Sequence, residues 1–219
     1  EPERRAAREE RERRVRPALA PRVLEFLAAR DLTITFFVVG QDAARESNRT
    51  ALRSLADAGH EIGNHSFNHE PWLHLYTPEQ IAAELAHAET AIEQATGERP
   101  TGFRGPGFSF SQPLLAELAR RGYDYDASTF PTFLGPLARA YYFWNTRDMP
   151  AEERKRRRKL YGSASEGLRP LKPYLWEGGL LEMPVTTMPL LRVPFHLSYL
   201  IYLAGYSRTL FRAHLRLAL

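Results

Sequence analysis

Two histidines, His65 and His69, lie four residues apart in the run GHEIGNHSFNHEPW. Two imidazoles at this spacing can meet on one side of a helical turn, where both neutral ring nitrogens can hold one small cation. A pair of this kind also occurs in proteins as two ordinary histidines of the surface or the core. The spacing alone is therefore weak evidence for a metal site, and the neighbouring segments decide how strong the evidence becomes.

Two further polar residues lie near the ends of predicted strands. Arg104 follows a short strand in FRGPGFS, and Asp126 lies in the strand-like run YDYDAS. In α/β folds with a parallel sheet, the chemistry lies at the carboxyl ends of the strands. Three polar residues at that edge, namely His65, Arg104 and Asp126, are better evidence for a site than any one of them alone.

The composition excludes several classes of site. The chain has 219 residues, 43% of them hydrophobic, which is enough for a sizeable core. It has no cysteine, so disulfides, thiolate nucleophiles and cysteine-based zinc sites are excluded. A formal net charge of +4 is too modest to indicate a nucleic-acid partner, and no nucleic-acid-binding motif is recognisable.

The basic residues are clustered in two places, the Arg-rich start and residues 152–159, EERKRRRK. The second cluster is the more one-sided, and it could contact an anionic glycan or the head groups of a membrane surface as a peripheral partner. A solvated helix face is the alternative reading of the same cluster. The first 16 residues are charged and contain no apolar stretch, so no signal peptide is visible and we expect a cytoplasmic bacterial protein.

The elements that must position these residues alternate along the chain. Helices are predicted at 3–29, 48–59, 77–97 and 111–122, and strands at 33–40, 60–64, 101–104 and 123–128. Thr77, Gln80 and Gly97 form the cap, capping box and stop of the third helix. This order predicts an α/β fold with a parallel sheet, open or closed into a barrel.

The second half of the chain breaks this rhythm. Residues 132–178 are charged and aromatic, and we expect a helical insertion over the barrel mouth. A strand is predicted at 180–189, followed by a helix with a broad apolar stripe at 196–219.

The segments ITFFVVG, GHEIGNHSFNH, FRGPGFS and YDYDAS, in this order and spacing, resemble the polysaccharide deacetylase (NodB-homology) family. The resemblance covers roughly residues 20–130, and it implies one deformed (β/α) barrel domain over 1–219. It also implies hydrolysis of N-acetyl or O-acetyl groups on sugars. The residues that match the family's motifs, with the roles that the resemblance implies, are the metal ligands His65 and His69, the catalytic residues Arg104, Asp126 and His196, and Phe108 and Phe130 in the acetyl pocket.

Part of the family's apparatus has no match in the chain. The family's third ligand and general base are adjacent acidic residues on a first strand, whereas residues 1–30 read as helix and contain no aspartate. His196 is the nearest match to the family's late general-acid histidine. We therefore expect an incomplete barrel that lacks its first and last strands and is inactive alone. A degenerate, inactive relative is the alternative.

The expected reaction follows from these residues. Zn²⁺, the expected divalent ion, lowers the pKa of bound water to about 7 and polarises an amide carbonyl. The leading hypothesis is a metal-dependent hydrolase that removes N-acetyl groups from the amino sugars of a polysaccharide or glycoconjugate. A cyclic-amide hydrolase on the same scaffold is one alternative. A non-catalytic glycan- or lipid-binding relative is another, with residues 141–144 and 152–159 as its docking surface.

Overall fold

The structure, a computed structural model, describes residues 19–146, 148–159, 164–188, 192–193, 205, 207 and 209. The chain divides into two compact units. The first comprises Glu1–Asn68 and Glu84–Pro100, and the second comprises His69–Ala83 and Thr101–Leu219.

The part of the first unit that the structure describes consists of two parallel strands and the helices that cover them. Strand β1 (Thr35–Val38) pairs in parallel with β2 (Glu61–Asn64), with Thr35 opposite Glu61. The helices are α1 at 19–28, α2 (Gly40–Ala43), α3 (Glu46–Asp57) and the larger part of α4 (Pro78–Thr96). Small and branched apolar side chains fill the core, namely Ala43, Leu55, Ile62, Ala91, Ile92 and Ala95.

The described residues of the second unit form four strands in the order β3-β4-β6-β5. Strands β3 (Gly102–Phe103), β4 (Tyr125–Asp126) and β6 (Leu181–Glu182) are parallel, and β5 (Tyr174–Leu175) is antiparallel to β6. The α-helices are α5 (Gln112–Arg120), α6 (Gly135–Asn145) and α7 (Ala151–Arg156). Short 3₁₀ helices lie at Leu73–Leu75, Pro106–Phe108, Arg157–Lys159 and Ala164–Leu168.

The described elements confirm most of the predicted alternation of helices and strands. The capping box of α4 is present: Thr77 N donates to Gln80 Oε1 at 2.9 Å, and Gln80 N donates to Thr77 Oγ1 at 3.3 Å. Gly97 follows the helix with a φ of +83°, a conformation that glycine adopts without steric cost.

The insertion between β4 and β6 contains α6 and α7, but it is not wholly helical. Its last part forms β5, which the sequence reading missed because two residues are too few to show an alternating pattern. The predicted helix at 196–219 lies almost entirely outside the described residues. No described helix combines the length and apolar character that crossing a bilayer requires.

Candidate active site

The loop that carries His65 begins where β2 ends. The Asn64 side chain is fully buried, and its Oδ1 accepts a hydrogen bond from Ser66 N at 2.8 Å. Ser66 adopts a left-handed φ of +62°, which turns the chain away from the strand direction. The prediction that His65 and His69 share a helical turn is therefore wrong, because an Asx-type turn and left-handed residues replace the helix.

A buried acid, Glu84 on α4, holds this loop. Its Oε1 accepts the backbone amides of Phe67 at 3.0 Å and Asn68 at 2.6 Å, and its Oε2 accepts Asn68 Nδ2 at 2.7 Å. Each of these hydrogen bonds is of the strong, charge-assisted kind when the carboxylate is ionised. Sequence reasoning missed Glu84, although its place among the buried residues Leu85, Ala88 and Ile92 of α4 is unusual for an acid.

His69 begins the second unit and also has a left-handed backbone, with a φ of +58°. The segment after it is anchored by Leu73, whose side chain is buried, and by His74. His74 N donates to Ser109 Oγ at 3.1 Å, and the His74 ring Nδ1 lies 2.9 Å from the same oxygen. These two contacts connect the segment that follows His69 to the loop that follows Arg104.

The Arg104 loop packs closely against β4. Arg104 Nε donates to the carbonyl of Ala127 at 3.0 Å, and Gly105 N donates to Ser128 Oγ at 2.8 Å. A Cβ at Gly105 would lie 1.9 Å from the carbonyl oxygen of Ser109, so only glycine fits there. The guanidinium is thereby fixed at the carboxyl end of β3.

Two fully buried acids, Asp126 and Glu182, face each other across β4 and β6. Ser128 Oγ donates to Asp126 Oδ1 at 2.5 Å. Glu182 Oε1 accepts Thr129 N at 3.0 Å and Thr129 Oγ1 at 2.7 Å, and its Oε2 accepts Trp176 Nε1 at 2.8 Å. Sequence reasoning missed Glu182, although a single acid in the apolar run LLEMP of a buried strand is a usable signal.

The surroundings of this acid pair shift the pKa values of Asp126 and of the neighbouring Arg104. Burial raises the pKa of Asp126 well above the usual range, and the neighbouring charge of Glu182 acts in the same direction. The hydroxyl of Ser128 acts against this rise. Burial also lowers the pKa of Arg104, while Tyr125, Asp126 and Glu182 act to raise it. Burial and the neighbouring acid therefore both oppose ionisation of Asp126.

The structure also brings together the two phenylalanines predicted to line an acetyl pocket. The rings of Phe108 and Phe130 are 4.5 Å apart between centroids, with 36° between their planes. Both side chains are half-buried, so they offer an apolar surface beside the Arg104 loop. His196 lies outside the described residues.

The predicted metal site is incomplete within the described residues. His65 and His69 supply two imidazoles, and no group of three His, Asp or Glu side chains that could hold an ion occurs in the described part of the chain. A hydrolytic metal site ordinarily needs three protein ligands and an open position. The donors described here do not by themselves fit the expected ion.

Comparison with known proteins supports the resemblance seen in the motifs. The family model for polysaccharide deacetylases matches residues 14–125. The chain is 36% identical over 104 residues to the peptidoglycan-N-acetylmuramic acid deacetylase PdaA of Bacillus subtilis (strain 168), covering 47% of this chain and 38% of that protein. It is 32% identical over 108 residues to a peptidoglycan deacetylase of Helicobacter pylori (strain ATCC 700392 / 26695), covering 49% and 36% of the two chains. The chain thus spans well under half the length of these curated relatives.

A solved structure supports the fold. A crystal structure from Mycobacterium smegmatis, described as a polysaccharide deacetylase, matches with a TM-score of 0.53 and 25% identity. The match covers 76% of this chain and 45% of that one. This likeness confirms the predicted fold class, an α/β fold of the NodB-homology, deformed (β/α) barrel type. On its matched motifs and on its fold, the chain belongs to the polysaccharide deacetylase family.

Proposed function

We propose that this protein removes N-acetyl groups from the amino sugars of a polysaccharide or glycoconjugate. Family membership supports the reaction type, and the names of similar proteins support the substrate class: besides the two peptidoglycan deacetylases, a chitooligosaccharide deacetylase of Bradyrhizobium sp. (strain ANU 289) is 32% identical over 107 residues. The observation that carries the proposal is the His65 loop, whose amides are fixed by the buried Glu84 carboxylate.

The described residues would have the following roles in this reaction. His65 and His69 would hold a divalent ion, which we take to be Zn²⁺, together with a ligand that the described residues do not provide. Arg104 would orient a carboxylate through its planar guanidinium, since its own position is fixed by Ala127. Phe108 and Phe130 would receive the methyl group of the acetyl moiety.

Asp126 would act as a positioning residue in this scheme. Its hydrogen bond from Ser128, which in turn accepts Gly105 N, fixes the backbone next to Arg104. The proposed general acid is His196, by its sequence position alone.

The test of this proposal uses His65→Ala and His69→Ala in the whole protein. Each variant should lose stoichiometric zinc, because neither of two imidazole ligands can be spared, and should release acetate from tetra-N-acetylchitotetraose at least 100-fold more slowly. Glu93→Ala, which replaces an exposed side chain on α4, is the control and should retain both properties. Full metal content and full acetate release after substitution of both site histidines would refute the proposal.

A second candidate function is a glycan- or lipid-binding surface on the insertion. One face of α6 exposes Leu137, Tyr141 and Trp144 by 67%, 70% and 68%. Apolar side chains are rarely exposed as a continuous helical stripe without a partner surface. The neighbouring aromatic rings instead contact arginines of the same chain. The guanidinium carbon of Arg154 lies 5.1 Å from the centroid of the Phe143 ring, and that of Arg157 lies 5.9 Å from the centroid of the Tyr142 ring.

The two candidates are separated by one comparison. If the second is correct, Leu137→Ser with Tyr141→Ser should abolish sedimentation with vesicles of anionic phospholipid or with an insoluble glycan. If acetate release from the soluble tetrasaccharide persists in the same double variant, the surface is accessory to the enzyme. If the wild type binds vesicles but releases no acetate with zinc present, the binding reading replaces the enzymatic one.

A further inference from the structure

A cavity of about 480 Å³ lies between α7 and the segment that follows His69. It is lined by Trp72, Pro150, Glu152, Glu153 and Arg156, all of which belong to the second unit. Its volume is in the range of small-molecule sites, and its lining combines one aromatic face with charged donors and acceptors. An aromatic face beside hydrogen-bond donors and acceptors is a lining suited to a small polar ligand.

Trp72 lies close along the chain to the candidate site residue His69. It is three residues from His69, so their Cα atoms are at most about 11 Å apart. The buried Leu73 and the contacts of His74 with Ser109 hold the segment from the other side. Trp72 is therefore anchored beside the loop that carries Arg104.

Helix α7 completes the cavity. The Arg156 and Arg157 guanidinium carbons lie 5.9 and 5.1 Å from the centroid of the Trp72 ring. Arg157 is engaged by Glu153, with Nη2 2.7 Å from Oε1, and this ion pair orients the arginine over the ring. The helix that supplies these side chains lies in the insertion between β4 and β6.

Charges of both signs surround the cavity. Among the lining residues, Glu152 and Glu153 are acidic and Arg156 is basic, and the guanidinium of Arg157 lies over the Trp72 ring. A simple anion or cation would meet a like charge there as well as an opposite one. A ligand rich in hydroxyl groups would gain hydrogen bonds from Arg156 and would donate them to Glu152.

We propose that this cavity is a subsite for a neutral pyranose unit of the glycan, near the unit that loses its acetyl group. The C–H face of the sugar would stack on the Trp72 indole, and its hydroxyls would bond to Glu152 and Arg156. The proposal rests on the proposed function, because it assigns the insertion the task of recognising the substrate chain. Its binding step, however, is measurable without turnover.

The experiment measures the Kd of tri-N-acetylchitotriose by titration calorimetry in the whole protein carrying His65→Ala and His69→Ala, which prevents hydrolysis. Adding Trp72→Ala should weaken binding about tenfold, and adding Arg156→Ala should weaken it severalfold. Arg156 is exposed, so Arg156→Ala should leave the fold intact. This variant therefore tests the cavity even if Trp72→Ala destabilises the protein. Phe26→Ala is the matched control, since Phe26 is an exposed aromatic with Arg30 3.7 Å from its ring centroid and lies in the other unit.

The expected pattern is a loss in the Trp72 and Arg156 variants and an unchanged Kd in the Phe26 variant. Unchanged binding in both cavity variants would overturn the subsite, as would absence of binding before either is introduced. Tighter binding of an acidic trisaccharide of equal length would overturn its preference for neutral sugars. None of these outcomes depends on acetate release, so a failed subsite and a failed deacetylase proposal are distinguishable.

Discussion

The two loops that carry candidate site residues are each held by a buried acid. One acid bonds to its loop directly, and the other does so through a serine hydroxyl. Glu84 accepts three hydrogen bonds directly from the His65 loop, through the amides of Phe67 and Asn68 and the Asn68 side chain. Asp126 reaches the Arg104 loop only through the Ser128 hydroxyl, and no described group donates a hydrogen bond to its buried Oδ2.

The difference shows that a buried acid can hold a loop directly or through another side chain. Glu84 accepts hydrogen bonds from the loop itself, which satisfies the buried carboxyl oxygens. Asp126 accepts a hydrogen bond from Ser128 and has the like charge of Glu182 beside it, and burial raises its pKa well above the usual range. The first loop is therefore held by direct hydrogen bonds to an acid, and the second by a hydroxyl between the acid and the loop.

The largest expected effect is on Glu84. Glu84→Ala removes the acceptor of the part-buried hydrogen bonds from the Phe67 and Asn68 amides, and should lower the free energy of unfolding by about 3 kcal/mol. Urea denaturation at neutral pH is the measurement. Glu93→Ala, an exposed acid on the same helix, should change stability by less than about 0.5 kcal/mol. Equal effects of the two substitutions would remove the proposed role of Glu84.

A smaller effect is expected from Ser128→Ala. The substitution removes both the acceptor for Gly105 N and the donor to Asp126, and should cost about 2 kcal/mol of unfolding free energy. Ser54→Ala on α3 is the control, because the Ser54 hydroxyl bonds only within its own helix. If Ser128→Ala leaves both stability and acetate release unchanged, the link between Asp126 and the Arg104 loop has no consequence.

The third effect, whose size depends on pH, is expected from Asp126→Asn. Asparagine keeps the acceptor for Ser128 and presents an N–H to Glu182, as a protonated carboxyl would. The folded state raises the pKa of Asp126, so it binds more protons than the unfolded state, and wild-type stability falls as pH rises above about 4.

Because the amide introduced by Asp126→Asn does not titrate, the variant should gain stability relative to wild type between about pH 5 and pH 8. The gain is about 1.4 kcal/mol for each unit of the raised pKa that lies in this interval. Urea denaturation at the two pH values measures it. A constant difference between the two proteins would mean that the pKa of Asp126 is not raised within this interval.

Local signals in the sequence predicted much of the fold. The capping box at Thr77 and the predicted strand at 33–40 depend on neighbours within a few residues, and the structure contains both of them. The motifs around Arg104 and Asp126 were placed correctly at the ends of β3 and β4 for the same reason. Their catalytic roles stay predictions.

Features that depend on distant contacts were missed. Glu84 contacts Phe67 and Asn68 at separations of 17 and 16 residues, and Glu182 contacts Thr129 at a separation of 53. An acid within an apolar run signals burial locally, but the partners that bond to it cannot be read from its neighbours. The helical turn expected at His65–His69 failed because the left-handed Ser66 depends on the Asn64 side chain bending the backbone.

The indole of Trp176 gives the buried acid pair an optical readout. Its Nε1 donates to Glu182 at 2.8 Å, so the ring lies next to the acid that pairs with Asp126, whose pKa is raised by burial. A negative charge at this end of an indole shifts its electronic transitions. Fluorescence emission therefore follows proton gain and loss at β4 and β6 without an added label, once Trp72 and Trp144 are replaced by phenylalanine.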